Sequence, residues 1–414
     1  MSVYTEHLID LAVAACDAHR FDAAAHLLGL ALGRSGRDAF VMYGLGHMAF
    51  RQGHYAEAAR LLDQSLDMDD GNPRAHIDLG LSLFGAGEDR AALDAMEQGL
   101  EMDPELAMAV MTEGLDQLRA GDFRVGWWKF EARLVASPGL LPRRRFAEPR
   151  WFGRPEEVAG RTILLHSEQG HGDAIQFLRY VPMVAALGAT VLLEGHPGLL
   201  SLYRELPYVS GVFALNDPLP PFDLQCSLLS LALAFRTELA SIPAPIPYLR
   251  VPADRVGLWQ RQLGPRTGRR IGIAWSGNAA YSRDDQRSMP LASLQPLLER
   301  TENDFHVVQT EIRPADRLVL LRQPHVRDHS ERLADFADTA VLLRELDLLI
   351  AVDTSVAHLA GALGVPVWLM VPAEADWRWL SGRDDSPWYP TLRLFRQREE
   401  GNWAEVVQRV VAAL

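Results

Sequence analysis

The sequence predicts an N-terminal α-helical repeat array followed by two α/β halves. Three observations predict this fold class: a 34-residue spacing of small and apolar residues in the first third, an alternation of apolar strands with helices after it, and a restart of that alternation near residue 268. A chain of 414 residues is long enough for two or three domains. The predicted ranges are 1–134 for the repeats, 135–160 for a linker, 161–250 and 268–400 for the α/β halves, and 401–414 for a final helix.

The repeat period is visible in three sets of aligned residues. Each set has a spacing of 34: Ala24, Ala58 and Ala92; Leu11, Leu45 and Leu79; and Ala12, Gly46 and Gly80. The small residues allow two helices to approach closely, and the leucines are expected to fill the seam between neighbouring units. This helix–turn–helix period resembles the tetratricopeptide repeat.

A divergent fourth unit has Gly121, Phe123 and Gly126 in register and ends in Trp127, Trp128 and Phe130. The last three are expected to form the cap that closes the stack onto the next domain. Three to four such repeats present a short concave surface suited to a peptide or a protein. The alternative is a module for dimerisation or docking.

Composition narrows the function classes. The net charge of −13 disfavours nucleic acid as a partner, and residues 1–134 hold 22 acidic but only 11 basic side chains. Cys16 and Cys226 stand far apart, which fits a reducing compartment. Because the sequence has neither a secretory leader pattern nor an apolar run of about 18 residues, we expect a cytoplasmic protein without a membrane span. Lys129 is the single lysine, so an anionic ligand must be held by arginine or backbone N–H groups.

The α/β region begins with the apolar strand 162–166, a glycine-rich turn and a helix, and the second half begins with the strand 270–275. Strands then alternate with helices in both halves, which is typical of a parallel doubly wound sheet. Ligands bind in such folds at the carboxyl ends of the strands. The segment 403–414 places six apolar residues on one helical face: Trp403, Val406, Val407, Val410, Val411 and Leu414.

A strand–helix junction at residues 351–358 carries the first candidate site. The strand ends before Asp353, and a helix is expected to begin near Thr354, whose free N–H groups favour an anion. The hydroxyls of Thr354 and Ser355 are additional donors, and His358 lies one turn along on the same side. Asp353 is expected either to cap the helix or to orient His358. The alternative is an ordinary capped helix with a satisfied histidine.

Three stretches resemble bacterial heptosyltransferase-type glycosyltransferases, family nine of the GT-B enzymes. They are "DTSVAHLAGALGVPVWLM" (353–370), "HSEQGHGDAIQFLRYVP" (166–182) and "WSGNAAYSRDDQRSMPL" (275–291). The resemblance implies a GT-B fold of two Rossmann-like domains, with the acceptor on the first half and the nucleotide-sugar donor on the second. It also implies that the C-terminal helix packs back toward the first half.

The resemblance implies roles for residues of the first half and of the basic segment. Asp173 falls on the proposed general base of the family, and Gly172 beside it suits a loop that hugs the sugar. Arg287 matches the residue that clamps the phosphates, where simpler heptosyltransferases usually have lysine. The alternatives are that Asp173 is a helix cap and that Arg287 forms a surface ion pair with Asp284 or Asp285.

Other donor-side residues are predicted from their positions just after strands of the second half. Ser276, Gly277 and Asn278 are expected to line the donor loop, and Glu311 is expected to hold a ribose hydroxyl. The later segment 376–397 is rich in Trp and Arg. Its large side chains are Trp377, Arg378, Trp379, Trp388 and Tyr389. They either stack on a base or sugar or form the core and the domain seam, and we favour the second interpretation. No spacing of metal ligands is present, so neither a metal nor another cofactor is expected.

The whole chain resembles bacterial proteins that join tetratricopeptide repeats to a heptosyltransferase-like domain, some of which glycosylate flagellin or other proteins. This resemblance implies a metal-independent, inverting glycosyltransferase with a nucleotide-sugar donor and a protein or peptide acceptor held by the repeats. Two alternatives are a catalytically retired GT-B scaffold that acts through its repeats, and a nucleotide-sugar epimerase of the same fold.

Overall fold

The computed structural model describes residues 3–136, 146–243, 245–281 and 283–414, which form two compact units. Unit 1 comprises the described residues up to Leu115 together with those from Trp128 to Ala136. Unit 2 comprises Asp116–Trp127 and the described residues from Phe146 onward. The division therefore falls inside the fourth repeat, whereas the sequence placed it at residue 134. Much of the predicted linker, residues 137–145, lies outside the described residues.

The N-terminal region is helical, and each of its first five helices packs against the next one along the chain. Within the described ranges, none of the helices combines the length and the hydrophobicity that a membrane span requires. The helices are α1 (Val3–Asp17), α2 (Phe21–Ser35), α3 (Ala39–Arg51), α4 (Tyr55–Met68), α5 (Pro73–Ala86), α6 (Asp89–Met102), α7 (Pro104–Ala120), α8 (Phe123–Phe130) and α9 (Arg133–Ala136).

The aligned small residues lie where helices approach most closely. Ala24, Ala58 and Ala92 are fully buried. A Cβ at Gly46 would lie 2.6 Å from Leu62 Cγ, and one at Gly80 would lie 2.6 Å from a backbone carbonyl oxygen of α6. These contacts confirm the role assigned to the small positions. The leucine positions differ: Leu11 is 45% exposed, whereas Leu45 and Leu79 are partly buried against the core of the repeats.

The first α/β half contains a parallel sheet with the strand order β3-β2-β1-β4. Its strands are β1 (Thr162–His166), β2 (Thr190–Gly195), β3 (Val209–Ala214) and β4 (Leu224–Ser227). Its helices are α10 (Pro155–Val158), α11 (His171–Phe177), α12 (Val181–Ala186), α13 (Leu200–Tyr203) and α14 (Leu231–Ala234), and α15 (Ala253–Leu263) follows them.

The second half contains a six-stranded parallel sheet with the order β10-β9-β8-β5-β6-β7. Its strands are β5 (Arg269–Ala274), β6 (Asn303–Val307), β7 (Val326–Asp328), β8 (Leu348–Val352), β9 (Val367–Val371) and β10 (Leu392–Arg396). Its helices are α16 (Asp284–Arg287), α17 (Gln295–Leu298), α18 (Pro314–Leu320), α19 (Phe336–Arg344), α20 (Ser355–Ala362) and α21 (Trp403–Ala413). This is the doubly wound order of a Rossmann sheet, in which the first and fourth strands of the sequence are neighbours. The predicted fold of two Rossmann-like halves is confirmed.

The C-terminal helix α21 packs on the second half and not, as predicted, back toward the first. Val406, Val407 and Val410 are buried in the core formed by the second sheet, together with Phe305 and Phe395. The apolar face was recognised correctly, but the neighbouring helix α17 and the edge strand β10 offer the nearest apolar surface to cover.

Part of the fourth repeat belongs to the core of unit 2. The Trp127 indole N–H donates to the Thr237 carbonyl at 2.9 Å, and its ring makes edge contacts with Phe177 and Trp377 at centroid distances of 6.0 and 5.2 Å. Trp128, the next residue, is buried in unit 1 with its ring centroid 6.4 Å from that of Phe84. The predicted aromatic cap is therefore divided between the two units.

A pair of buried imidazoles lies beside β6 and β7. His306 Nδ1 and His329 Nε2 are 3.0 Å apart, and the two rings are stacked with an interplanar angle of 8°. Burial lowers the pKa of each to about 4, so both are neutral at neutral pH and share one hydrogen bond. Charged groups surround them: Asp304, Arg270 and Arg327 near His306, and Asp328, Arg327 and Arg332 near His329.

We expect this pair to make unit 2 sensitive to acid. The folded pKa values lie below the value of about 6.5 in an unfolded chain, so the stabilisation is complete above that value and is lost as the pH falls toward 4. At about pH 5, each imidazole should have lowered the unfolding free energy by about 2 kcal/mol relative to neutral pH. Urea unfolding followed by tryptophan fluorescence measures this loss in unit 2, because every tryptophan except Trp128 belongs to that unit.

The variant His329→Gln should flatten the dependence of stability on pH, and His26→Gln, at an exposed position of α2, is the matched control. Equal pH slopes in the two variants would contradict the assignment.

Candidate active site at the junction of the two halves

Several of the predicted site residues lie where the two halves of unit 2 meet. Helix α11 follows β1, helix α20 follows β8, and both helices begin at the carboxyl ends of their strands, beside the point where the strand order reverses. The two helices pack against each other. A Cβ at Gly172 would lie only 2.9 Å from His358 Cδ2, so the glycine is required by this close approach. The junction site is defined here as Asp173, Arg287, Asp353, His358 and Arg378.

Helix α20 presents unfulfilled hydrogen-bonding groups at its start. The helix begins at Ser355, and Thr354 is the N-cap residue with extended backbone angles and no side-chain cap bond. Thr354 Oγ1 is buried and has no hydrogen-bond partner among the described residues. The first N–H groups of a helix are also without intrahelical partners and carry a partial positive charge. This end of α20 can therefore accept an anion.

Asp353 performs neither of the two roles predicted for it. Thr354 occupies the cap position, and Asp353 Oδ1 lies 3.8 Å from His358 Nε2, which is too long for a hydrogen bond. Asp353 Oδ2 instead accepts a 2.8 Å hydrogen bond from the Trp379 indole. Burial, together with the nearby charge of Asp376, raises the pKa of Asp353 to about 6.

His358 is a buried, neutral imidazole held on two sides. Its Nδ1 is 3.0 Å from the Tyr389 hydroxyl, and its ring stacks on Trp379 with a centroid distance of 5.3 Å. Burial and the nearby guanidinium groups of Arg378, Arg179 and Arg287 keep the pKa of His358 well below its usual value. A neutral imidazole donates from one nitrogen only, so its tautomer decides what it can bind.

Asp173 is held by contacts from both halves. Its Oδ2 accepts the Gly170 N–H at 2.8 Å, which closes the start of α11, and its Oδ1 forms an ion pair with Arg378. The predicted cap thus exists, but it uses one oxygen of the carboxylate. Two carboxylate oxygens offer roughly four acceptor sites, and the side chain is 21% exposed. The carboxylate therefore retains the capacity to accept a further hydrogen bond.

Arg378 belongs to the junction site, although the sequence did not identify it as a site residue. Its guanidinium donates to Asp376 Oδ1 at 2.8 Å and to Gln176 Oε1 at 2.6 Å, and it lies 4.2 Å above the Trp377 ring. Burial would lower the pKa of Arg378, but the carboxylates of Asp376 and Asp173 outweigh burial and raise it. The segment 376–397 indicated either stacking on a base or sugar or a domain seam, and it did not indicate an ion pair with Asp173, which is 205 residues away from Arg378.

Arg287 lies at the end of α16 and connects it to the residue that follows β8. Its Nε donates to Asp284 Oδ1 at 3.1 Å, and its Nη1 donates to the Asp353 carbonyl at 3.1 Å. Its guanidinium also lies 4.5 Å from the centre of the Tyr281 ring. The predicted pair with Asp284 exists, but Asp284 is buried, so this is not an ordinary surface pair. The loop between β5 and α16 contacts Arg287 at Gly277, where a Cβ would overlap the guanidinium.

The remaining donor-side candidates lie around a buried glutamine that the sequence did not single out. Gln309 Nε2 donates to Ser276 Oγ at 3.0 Å and to the Glu311 carbonyl at 2.7 Å. The side chain of Glu311 is exposed, and Gln309 accepts from the Trp275 N–H and donates to Ser276 rather than to a residue of the junction site. Asn278 is also exposed, and its side chain accepts the Ala280 N–H at 2.8 Å.

The aromatic segment after β9 forms the seam. Its five large side chains are all buried, as the favoured interpretation predicts: Trp377, Arg378, Trp379, Trp388 and Tyr389. Among the residues that the structure describes, no group of three or more His, Cys, Asp or Glu side chains is placed to hold a metal ion.

A curated relative and several solved structures are similar to this chain. A curated relative, Protein FlbA of Caulobacter vibrioides, is 28% identical over 319 residues, which is 70% of this chain and 52% of FlbA. The chain thus spans about half the length of that relative.

Solved structures with similar chains include three transferases. The family 9 glycosyl transferase of Veillonella parvula is 10% identical, with a TM-score of 0.48 and coverage of 62% of this chain and 97% of that one. The E. coli ADP-heptose lps heptosyltransferase II is 13% identical, with a TM-score of 0.47 and coverage of 61% and 96%. The Thermobaculum terrenum O-GlcNAc transferase is 14% identical, with a TM-score of 0.27 and coverage of 100% and 92%.

A family model described as tetratricopeptide repeat matches residues 9–73 and 43–107. These two overlapping ranges cover the three units that share the 34-residue period. Residues 9–107 are therefore tetratricopeptide repeats, as the period predicts.

Proposed function

We propose that unit 2 is a glycosyltransferase that moves a sugar from a nucleotide-sugar donor to a hydroxyl group of an acceptor. One observation carries this proposal: a partly exposed carboxylate of the first half, Asp173, lies at the same junction as the anion-accepting start of α20 and Arg287 of the second half. A base beside an anion site is the arrangement that sugar transfer from a nucleoside diphosphate requires.

The second half would bind the diphosphate of the donor. The N–H groups at the start of α20, the hydroxyls of Thr354 and Ser355, and the Nε2 side of His358 supply neutral donors. Arg287 supplies a positive charge whose planar fork suits phosphate oxygens. Negative charge grows on the diphosphate as the sugar leaves, so groups already in position stabilise the transition state more than the ground state. Such a set can act without a metal ion, and we include metal independence in the proposal.

The first half would activate the acceptor. The acceptor oxygen forms a bond to the anomeric carbon while the bond from that carbon to the diphosphate oxygen breaks. The acceptor proton passes to Asp173, and the bonding electron pair leaves with the nucleoside diphosphate. A single displacement of this kind inverts the anomeric configuration. The Arg378 and Gly170 contacts fix the carboxylate in one orientation, which serves a base that must meet its proton within hydrogen-bond distance.

The repeats would supply the acceptor. Tetratricopeptide repeats form concave surfaces that suit a peptide or a protein. We therefore propose a protein or peptide acceptor that the repeats bind.

A second candidate function is a catalytically retired GT-B scaffold that acts through its repeats. The observation in its favour is that both Asp173 oxygens already have partners, one in the capping bond and one in the ion pair. The two candidates differ in a measurable way, because a retired scaffold neither transfers nor hydrolyses a nucleotide sugar.

The proposal is tested by ligand binding to the full chain. Thermal unfolding is measured with ADP, GDP, UDP, CDP and CMP and their sugars, and Kd is then measured by calorimetry for any ligand that stabilises. A ligand at 100 times its Kd adds about 2.7 kcal/mol. We expect Arg287→Ala to weaken binding of the stabilising nucleotide by about 10- to 100-fold, because it removes a charge-assisted contact.

The control is Arg300→Ala, which removes the same charge from an exposed position two residues after α17 and should leave Kd unchanged. If every nucleotide fails to stabilise the wild type, or if Arg287→Ala and Arg300→Ala bind alike, the donor site is not where we place it. Binding without any release of the sugar would support the retired scaffold.

A further inference from the structure

Tyr389 is buried against the start of α20 and is not among the residues assigned to the site so far. Its hydroxyl oxygen is 3.0 Å from His358 Nδ1, and the two rings meet edge to face at a centroid distance of 5.7 Å. Gly361, three residues after His358 on the same helix, makes room for the tyrosine, since a Cβ there would overlap its ring. The contact is therefore built into the helix face.

The two nitrogens of His358 face groups of different kinds. Nε2 lies on the side of Gly172 and of Asp353, whose Oδ1 is 3.8 Å away, and an ionised carboxylate only accepts hydrogen bonds. Nδ1 lies against a hydroxyl, which can donate or accept. The imidazole is neutral, so one nitrogen carries the proton and the other carries a lone pair. Only a proton on Nε2 and a lone pair on Nδ1 suit both neighbours.

We propose that Tyr389 is a positioning residue that donates its hydroxyl proton to Nδ1 of His358 and thereby keeps the imidazole N–H on Nε2. This inference rests on the proposed function, because the Nε2–H would donate to an oxygen of the departing diphosphate. The opposite tautomer would present a lone pair to that oxygen and repel it. The hydroxyl of Tyr389 thus determines whether His358 helps or hinders the leaving group.

A competing arrangement involves Tyr248, whose hydroxyl interacts with Tyr389 and itself donates to the Ile175 carbonyl at 3.1 Å. If Tyr389 donated to Tyr248, His358 would have to donate from Nδ1, and the Nε2 lone pair would face the Asp353 carboxylate. Two acceptors would then oppose each other in a buried place, which is unfavourable while Asp353 is ionised. This condition holds above the pKa of about 6 that burial gives Asp353.

The tautomer can be measured without knowing the substrate. The full chain is labelled with nitrogen-15 in its histidine rings, and the His358 signals are assigned by their loss in His358→Gln. The measurement is made well above the pKa of Asp353. We expect a protonated Nε2 and an unprotonated Nδ1 in the wild type, and a mixed or reversed tautomer in Tyr389→Phe. A protonated Nδ1 in the wild type, or an unchanged tautomer in Tyr389→Phe, would overturn the inference.

Binding of ADP, GDP, UDP and CDP then connects the tautomer to the site. We expect Tyr389→Phe to weaken binding of the nucleotide that stabilises the wild type by about tenfold. A loss of this size is typical of one hydrogen bond to a charged group. The matched control is Tyr180→Phe, which removes another buried hydroxyl bond, to Thr237 at 2.8 Å, and should leave both the tautomer and the affinity unchanged.

The two failures are distinguishable. The expected tautomers without binding of any of the four nucleotides would support the role of Tyr389 toward His358 and refute the donor site. If the protein binds a nucleotide while Nδ1 of His358 is protonated, the donor site is supported and the role of Tyr389 is refuted.

Discussion

The variant Asp173→Asn is expected to transfer sugar about 10²–10⁴-fold more slowly than the wild type, because a positioned general base contributes rate enhancements of that size. The amide cannot take the acceptor proton, yet it still offers an oxygen to the Gly170 N–H. Binding of the nucleoside diphosphate to the second half should therefore persist. The measurement is kcat for transfer, and Kd for the nucleotide, with the donor that the binding screen identifies.

Two comparisons separate a base from a structural carboxylate. Asp254→Asn removes a carboxylate from an exposed position at the start of α15 and should transfer at the wild-type rate. Unfolding of Asp173→Asn by urea shows how far loss of the Arg378 ion pair weakens the fold at the temperature of the assay. A folded Asp173→Asn protein with wild-type kcat would exclude Asp173 as the base.

The variant Arg378→Met is expected to lower the unfolding free energy of unit 2 by about 3 kcal/mol, because removal of one partner from a buried ion pair leaves uncompensated charge. The side chain is buried and binds groups from both halves, namely Asp173 and Gln176 from the first and Asp376 from the second. Tryptophan fluorescence during urea unfolding measures the change in this unit.

The matched control for this variant lies in the same segment. Arg383 pairs with Asp385 at 2.6 Å at the surface, and Arg383→Met should cost less than about 1 kcal/mol. In the double variant Asp173→Asn/Arg378→Met the loss should be smaller than the sum of the two single losses, because residues in contact are coupled. Equal stabilities of Arg378→Met and Arg383→Met would show that the pair does not hold the halves together.

Most of the elements were predictable from local patterns in the sequence. The 34-residue spacing of Ala24, Ala58 and Ala92 predicts helices that touch at those positions, because each repeat must bury the same face against its neighbour. The alternation of strands and helices predicts two parallel sheets, since consecutive parallel strands need a crossover. The junction at residues 353–358 was recognisable because a strand, two hydroxyls and a helical histidine stand in one short stretch.

The errors came from positions where several partners compete. Asp353 was assigned to the cap of α20 or to His358, but the cap is Thr354 and the carboxylate accepts from Trp379. Residue spacing indicates that such groups are close, and only the atomic positions show which donor each acceptor meets. The apolar face of α21 was recognised from residue spacing, but spacing does not show which surface the face covers. In the structure it covers the nearest apolar surface, which belongs to the second half.

The repeats, the two sheets and the identity of the groups at the start of α20 follow from the order of residues alone, because these features depend on periods and motifs within a few tens of residues. Three further features depend on how the elements pack in space: Arg378 meets Asp173, Tyr389 meets His358, and the fourth repeat is divided between the units. The first pair is separated by 205 residues and the second by 31. Contacts of this kind exist only after the elements have packed, since packing, and not spacing along the chain, places their side chains within hydrogen-bond distance.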